Sequence, residues 1–145
     1  MEIQPYLYFD GRCEEAIAFY REALGAQELM MRFKDAPASQ DDQTSPELAD
    51  KIMHAALAIG STHLLMSDGE AGEQKVAHSG LSLSVTANDV AAGEKYFNVL
   101  AQDGQITMPF QKTFWTDGFG MLVDQFGMPW MVNVQHQGEK QLRQH

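Results

Sequence analysis

The sequence predicts an α+β protein built from two βαβββ modules, and three observations carry that expectation. First, the chain reads twice. Leu7-Tyr8-Phe9, Ala16-Ile17-Ala18-Phe19-Tyr20 and Leu24-Gly25 read as a strand, a helix and a glycine stop, and the same order returns at Leu83-Ser84-Val85, Ala92-Gly93, Tyr96-Phe97 and Leu100. At an offset of 76 residues, Leu7 meets Leu83, Phe9 meets Val85, Ala16 meets Ala92, Tyr20 meets Tyr96 and Leu24 meets Leu100. Second, each such unit is followed by strand-like and turn-like sequence. Third, the apolar period is two in the strand segments and three to four in the helical ones. Neither half can bury its apolar sheet face alone, so the halves are expected to pair, with a ligand in the groove between them.

Taken in order, residues 3–9 alternate on a period of two and are rich in Tyr, Leu and Phe, the pattern of a strand. Asp10-Gly11 turns the chain into a helix over 12–24, with Cys13, Ile17, Tyr20 and Leu24 on its apolar face and Gly25 as its stop. Residues 29–33 return as a strand. Residues 35–50 are polar and acidic, long enough to be either a lid or a solvated loop. Strands follow at 52–59 and 62–67, joined by Gly60-Ser61 as a hairpin. The first module is therefore 1–68, and the glycine-containing stretch 69–79 is the linker. The second module, 80–136, opens with a strand at 81–86 and a helix over 89–103. Asn88 or Asp89 caps that helix, and Val90, Gly93, Phe97 and Leu100 form its buried stripe. A strand begins at Ile106, and residues 120–124 and 130–134 make the last hairpin across a turn at 125–129. The tail, 137–145, is polar and expected to fray.

Composition bounds the function. A chain of 145 residues with 44% hydrophobic and 21% charged residues is an ordinary globular domain. No apolar run approaches the roughly 18 residues of a membrane span, so no membrane partner is expected. The N-terminus has no basic region or apolar signal core, and the single Cys13 suits a reducing compartment; both point to the cytoplasm. A net charge of −10 with scattered basic residues argues against nucleic acid.

The segments Pro5-Tyr6-Leu7-Tyr8-Phe9-Asp10-Gly11, Ile52-Met53-His54-Ala55-Ala56-Leu57, Met66-Ser67-Asp68, Trp115-Thr116-Asp117-Gly118-Phe119-Gly120 and Val123-Asp124-Gln125-Phe126-Gly127-Met128-Pro129-Trp130 together span 3–134. In that order they resemble the vicinal oxygen chelate superfamily of glyoxalase, bleomycin-resistance and extradiol dioxygenase proteins, and within it the PhnB-like branch. The resemblance implies a cupped eight-stranded mixed sheet around a small-molecule cavity, commonly in a homodimer. Members of that branch often carry a demethylubiquinone methyltransferase label, yet no Gly-x-Gly nucleotide turn follows any predicted strand here.

The resemblance also implies a divalent metal held by four strand residues, usually His, Gln or Glu. Those positions fall at Pro5 (beside Gln4), at Leu65 or Met66, at Gly80 and at Met131, none of which is a hard-metal ligand. No metal or other cofactor is expected in the usual site. The rival is a metal-dependent lyase, isomerase or dioxygenase with a displaced site built from His54, His63, His78 and Asp68. If the ligand positions mark the cup interior, alternation puts Leu7 and Phe9 inside it from the first strand. Ser82 and Ser84 line it from the fifth, and Met131 and Asn133 from the eighth. His54 lines the pocket or packs as a satisfied imidazole. Ser67 and Asp68 present an acceptor at the mouth or serve the fold. Trp115, beside Phe114, covers a ligand or packs, whereas Trp130 reads as core. Asp124 is a turn-former accepting backbone N–H groups, or a general base if buried beside a substrate. The numerous methionines suit a plastic interior or a dimer seam. Cys13, on a buried helix face, is a poor nucleophile.

Overall fold

The structure is a computed structural model that describes residues 1–9, 11–32, 49–68 and 78–135. It divides into two compact units, Met1–Val76 and Ala77–His145. Asp10, nearly all of the expected lid (33–48), the linker stretch 69–77 and the C-terminal 136–145 lie outside the described residues.

In the first unit the elements are β1 (Tyr6–Tyr8), α1 (Cys13–Leu24), β2 (Gln27–Arg32), β3 (Ile52–Ile59) and β4 (Thr62–Ser67). They build a four-stranded sheet in the order β1-β4-β3-β2, with β1 parallel to β4 and the remaining pairs antiparallel. Glu14 and Glu15 sit in the first turn of α1 and Arg21 in the last, both favourable to the helix dipole. Gly25 stops the helix at φ 68°, and its N–H returns to the Arg21 carbonyl at 2.9 Å. The buried face is Cys13, Ala16, Ile17, Tyr20 and Ala23. It covers the sheet face carrying Leu7, Ala55, Leu57, Leu64 and Met66, all buried. Each fully buried aliphatic side chain in this layer contributes about 1.5–3 kcal/mol.

The second unit repeats the order: β5 (Leu83–Ala87), α2 (Val90–Leu100), β6 (Gln105–Gln111), β7 (Phe119–Val123) and β8 (Pro129–Val134). Its sheet runs β5-β8-β7-β6, again with only the β5–β8 pair parallel. Asp89 is the cap of α2, accepting from Ala92 N–H at 2.7 Å. Gly93, Phe97 and Leu100 are buried, whereas Val90 is exposed and leaves the expected stripe. The architecture is thus the expected α+β pair of βαβββ modules, with eight strands in two four-stranded mixed sheets.

The repeat register needs correction. In the ladders Leu7 pairs with Met66 and Val85 with Val132, while Asp68 and Val134 make matching bonds to Ile52 and Gly118. Leu7 therefore corresponds to Val85, an offset of 78 residues rather than 76. In the helices, buried Ala16, Tyr20 and Ala23 match Gly93, Phe97 and Leu100, an offset of 77 residues. Tyr20 is thus equivalent to Phe97, not to Tyr96. A length difference in the strand-to-helix turn shifts the register between the two elements.

Candidate functional site

Each sheet has one face under its helix and one turned away from it. Residues paired directly across a ladder point to the same side. In the first unit, Tyr6 pairs with Leu65, Leu65 with Ala56 and Ala56 with Leu29; Tyr8 pairs with Ser67 and Met31 with His54. These residues share the face away from α1, and none is an Asp, Glu, Lys or Arg. Tyr6 and Tyr8 stand 5.2 Å apart between ring centroids, and Tyr6 and His54 stand 5.8 Å apart. The Tyr6 hydroxyl and His54 Nδ1 are hydrogen-bonded at 3.2 Å. Burial, and then the neighbouring Tyr8, hold the Tyr6 phenol above its ordinary pKa, while a hydrogen bond with Ser67 pulls the other way.

The equivalent face of the second unit carries Ser84 paired with Met131, Thr86 with Asn133, and Asn133 with Phe119. Trp115 packs edge-on against Phe119 at 5.4 Å, and Phe114 packs on Trp115 at 4.8 Å. Their turn is fixed by Thr116, whose buried hydroxyl donates to the Val134 carbonyl at 2.6 Å. Asn133 Oδ1 is buried and has no hydrogen-bond partner among the described residues.

The sequence-predicted residues therefore sort into two groups. His54 and Ser67 share the first open face, and Ser84, Met131 and Asn133 share the second, with Trp115 attached through Phe119. Ser82 is exposed and precedes β5 by one residue. Leu7 and Phe9 do not face outward; both are buried on the α1 side, where Phe9 meets Tyr20 at 6.3 Å. The first strand presents Tyr6 and Tyr8 instead, residues the sequence reading passed over. Their signal lay in the repeat itself, which equates Leu7 with the Leu83–Val85 side of β5 and so leaves Tyr6 and Tyr8 on the serine side.

Asp68 is not an open acceptor. It is buried, with Oδ1 accepting from Cys13 N–H and Oδ2 from Ile52 N–H, both at 2.9 Å. Burial raises its pKa, and these N–H bonds and Lys51 oppose the rise. It caps α1, whose own N-cap residue, Arg12, makes no side-chain capping hydrogen bond. Asp124 is the expected turn-former: Oδ1 accepts from Phe126 and Met128 N–H, and Oδ2 from Trp130 Nε1 at 2.8 Å. Trp130 is core. Burial, with Asp68 nearby, pushes the Cys13 thiol well up, as befits an inert cysteine. A separate open cleft of about 480 Å³ lies beside Asp68, between Glu14, Glu15, Arg32, Asp50 and Lys51. Its charges are largely engaged with each other and with the backbone: Arg32 pairs with Glu14, Arg12 with Glu15, and Lys51 donates to the Gly11 carbonyl.

The displaced metal site of the rival reading is not assembled within the first unit. His63 pairs with Ala58, four residues along β3 from His54, a separation of about 13 Å. Among the described residues no group of three or more His, Cys, Asp or Glu is placed to hold a metal ion. No helix among them is long and apolar enough to cross a membrane.

Residues 2–132 match the sequence pattern described as the Glyoxalase/Bleomycin resistance protein/Dioxygenase superfamily. Protein YjdN of Escherichia coli (strain K12) is 38% identical over 143 residues, covering 92% of this chain and 95% of that protein. Among solved structures, protein PA1353 from Pseudomonas aeruginosa superposes with a TM-score of 0.82 at 39% identity, over 93% of this chain and 98% of that one. A Bacillus cereus protein described as a putative 3-demethylubiquinone-9 3-methyltransferase, PhnB protein, gives a TM-score of 0.78 at 25% identity, over 93% and 100% of the two chains.

Proposed function

Because the chain belongs to the glyoxalase, bleomycin resistance protein and dioxygenase superfamily, we propose that it is a PhnB-like small-molecule-binding protein that works without a metal at the superfamily's usual positions. One observation carries this reading: both sheets turn a face whose ladder-paired residues include no Asp, Glu, Lys or Arg, set with aromatic, hydroxyl and amide groups, away from their helices. That is the composition of a small-molecule site, apolar with a few polar handles.

The superfamily's metal does not fit the residues present. Met66 is buried under α1, so Leu65 holds the β4 position on the open face, and Met131 holds its equivalent on β8. The ladder neighbours of these two on that face are Tyr6 and Ser84, not Pro5 and Gly80. An alkyl group, a thioether, a neutral phenol and a serine do not make a site for a hard or borderline dication. The methyltransferase description of the Bacillus cereus relative is not carried over, since no glycine-rich nucleotide turn accompanies it here. Superfamily membership further supports a homodimer, which sedimentation equilibrium would report as twice the mass of one chain.

The test is a thermal-shift screen of small uncharged molecules, because a ligand selective for the native state raises its melting temperature. Ser84→Phe adds bulk on the open face of β5. A Ser84→Phe protein that folds and loses the screened ligand supports the reading; one that folds and binds normally removes the second unit's face from the site. A protein that unfolds would show that face to be tightly packed, at an overpacking cost of about 1–3 kcal/mol.

A further inference from the structure

On the open face of the first sheet three rings stand side by side, and the Tyr6 oxygen meets the His54 ring. Tyr6 and Tyr8 are inclined at 34° to each other, and Tyr6 and His54 at 41°, so neither pair is a parallel stack. The two tyrosines are 40% and 48% exposed. Tyr6 Oη bonds His54 Nδ1 at 3.2 Å and also bonds Ser67. A phenol offers one proton and two lone pairs. Two partners use two of these three, which leaves one position on Tyr6 Oη among the described residues. The Ser67 hydroxyl donates its one proton to the Ile52 carbonyl at 3.4 Å, so towards Tyr6 it accepts the phenol proton. His54 Nδ1–H then donates to Oη, and the open position is a lone pair. A ligand hydroxyl can donate to that lone pair, whereas a carboxylate or an ether cannot. Charge narrows the choice further. No Asp, Glu, Lys or Arg lies among the ladder-paired residues of this face, and the chain carries −10. An anion would meet a repulsive field with no local cation to offset its desolvation.

We propose that the Tyr6–Tyr8–His54 face binds an uncharged planar ring bearing a hydroxyl, with the ring against the tyrosines and the hydroxyl on the third position of Tyr6 Oη. The proposal rests on the small-molecule reading above and gives it a ligand class. Recognition is then by a lone pair of a phenol held between Ser67 and His54, with no cation involved.

Four aromatic probes separate the alternatives: 2-naphthol, 2-methoxynaphthalene, 2-naphthoate and trimethyl(2-naphthyl)ammonium, titrated by calorimetry at neutral pH. The expected order places 2-naphthol tightest. Tyr6→Phe, at an exposed position that tolerates the change, should weaken 2-naphthol roughly fivefold and leave 2-methoxynaphthalene unchanged. Tyr8→Leu should weaken both naphthalenes alike, since it removes ring contact and not the handle. Equal affinity for naphthol and methoxynaphthalene overturns the hydroxyl assignment while leaving a small-molecule face in place. So does a Tyr6→Phe effect common to both. Tighter binding of the naphthoate or the trimethyl(2-naphthyl)ammonium overturns the assignment of an uncharged ligand. If none of the four binds, yet the thermal-shift screen yields ligands displaced by Ser84→Phe, the inference fails alone. If that screen is also empty, the wider binding reading fails with it.

Discussion

Asp68 stands where helix α1 meets the sheet, and its two oxygens take the N–H groups of Cys13 and Ile52. Replacing it by alanine leaves two buried donors without an acceptor, at a cost of about 1–3 kcal/mol each. The pH dependence follows from the direction of its shift. Its folded pKa is raised above the ordinary 3.8 by burial, so the folded state holds the proton more tightly than the unfolded chain. Its contribution is therefore full below pH 3.8 and declines as pH rises through the folded pKa. Urea midpoints of wild type and Asp68→Ala, compared from pH 3.5 to 7, should show the wild-type advantage shrinking upward. An advantage that grows with pH would mean that the N–H bonds outweigh desolvation and hold the carboxylate as an anion. This role was not legible in the sequence, because the partners of Asp68 lie 55 and 16 residues away. Asp124 was legible, since its two backbone donors lie within the same hairpin, two and four residues on.

Among elements, α2 owes its seat on the second sheet to missing side chains. A Cβ at Gly93 would lie 3.0 Å from Phe110 and Val134, and one at Gly120 would lie 2.6 Å from the Phe97 ring and 2.9 Å from the Phe110 backbone. The space at Gly120 is filled by Phe97, which also packs on Phe110 at 5.6 Å. Gly120→Ala should destabilise the protein by about 1–3 kcal/mol through overpacking. Phe97→Leu added to it should restore part of that loss, as measured by a double-mutant cycle on urea midpoints. Additive losses would show that Phe97 is not what the new methyl meets. Element limits were readable in places. β1 is Tyr6–Tyr8 rather than 3–9, β2 is Gln27–Arg32 rather than 29–33, β5 is Leu83–Ala87 rather than 81–86, and α2 is Val90–Leu100 rather than 89–103. By contrast, β3 and β4 run over the anticipated 52–59 and 62–67, and α1 differs by one residue at its start. Such limits are written in local periodicity and in Gly25 and Gly60. Which face of a strand stays open is a tertiary fact, set by where the helix lies. Alternation sets Leu7 and Phe9, expected inside the cup, against Tyr6 and Tyr8, and only the position of α1 decides between the pairs.

For the whole molecule, the two open faces and the charge of −10 make divalent metal the sharpest test of the proposed function. A specific metal with a Kd near 1 μM, present at about 100 μM, would add about 2.7 kcal/mol to the native state. In a chain of this length that is a rise of several degrees in melting temperature. An acidic surface also gathers dications without any site, so the comparison must be with Mg²⁺ at the same concentration, which supplies the charge without seeking nitrogen or sulfur ligands. With no affinity tag on the chain, Zn²⁺, Ni²⁺, Mn²⁺ and Fe²⁺ should each shift the melting temperature no more than Mg²⁺ does. The expectation follows from what stands on the faces: Leu65 and Tyr6 in one row, Met131 and Ser84 in the other. His54 is hydrogen-bonded to Tyr6 on the face of the first sheet, and a metal recruited at its Nδ1 would have to break that bond. A rise of several degrees with one transition metal, absent with Mg²⁺ and lost in His54→Ala, would therefore place a metal on this face and overturn the metal-free reading.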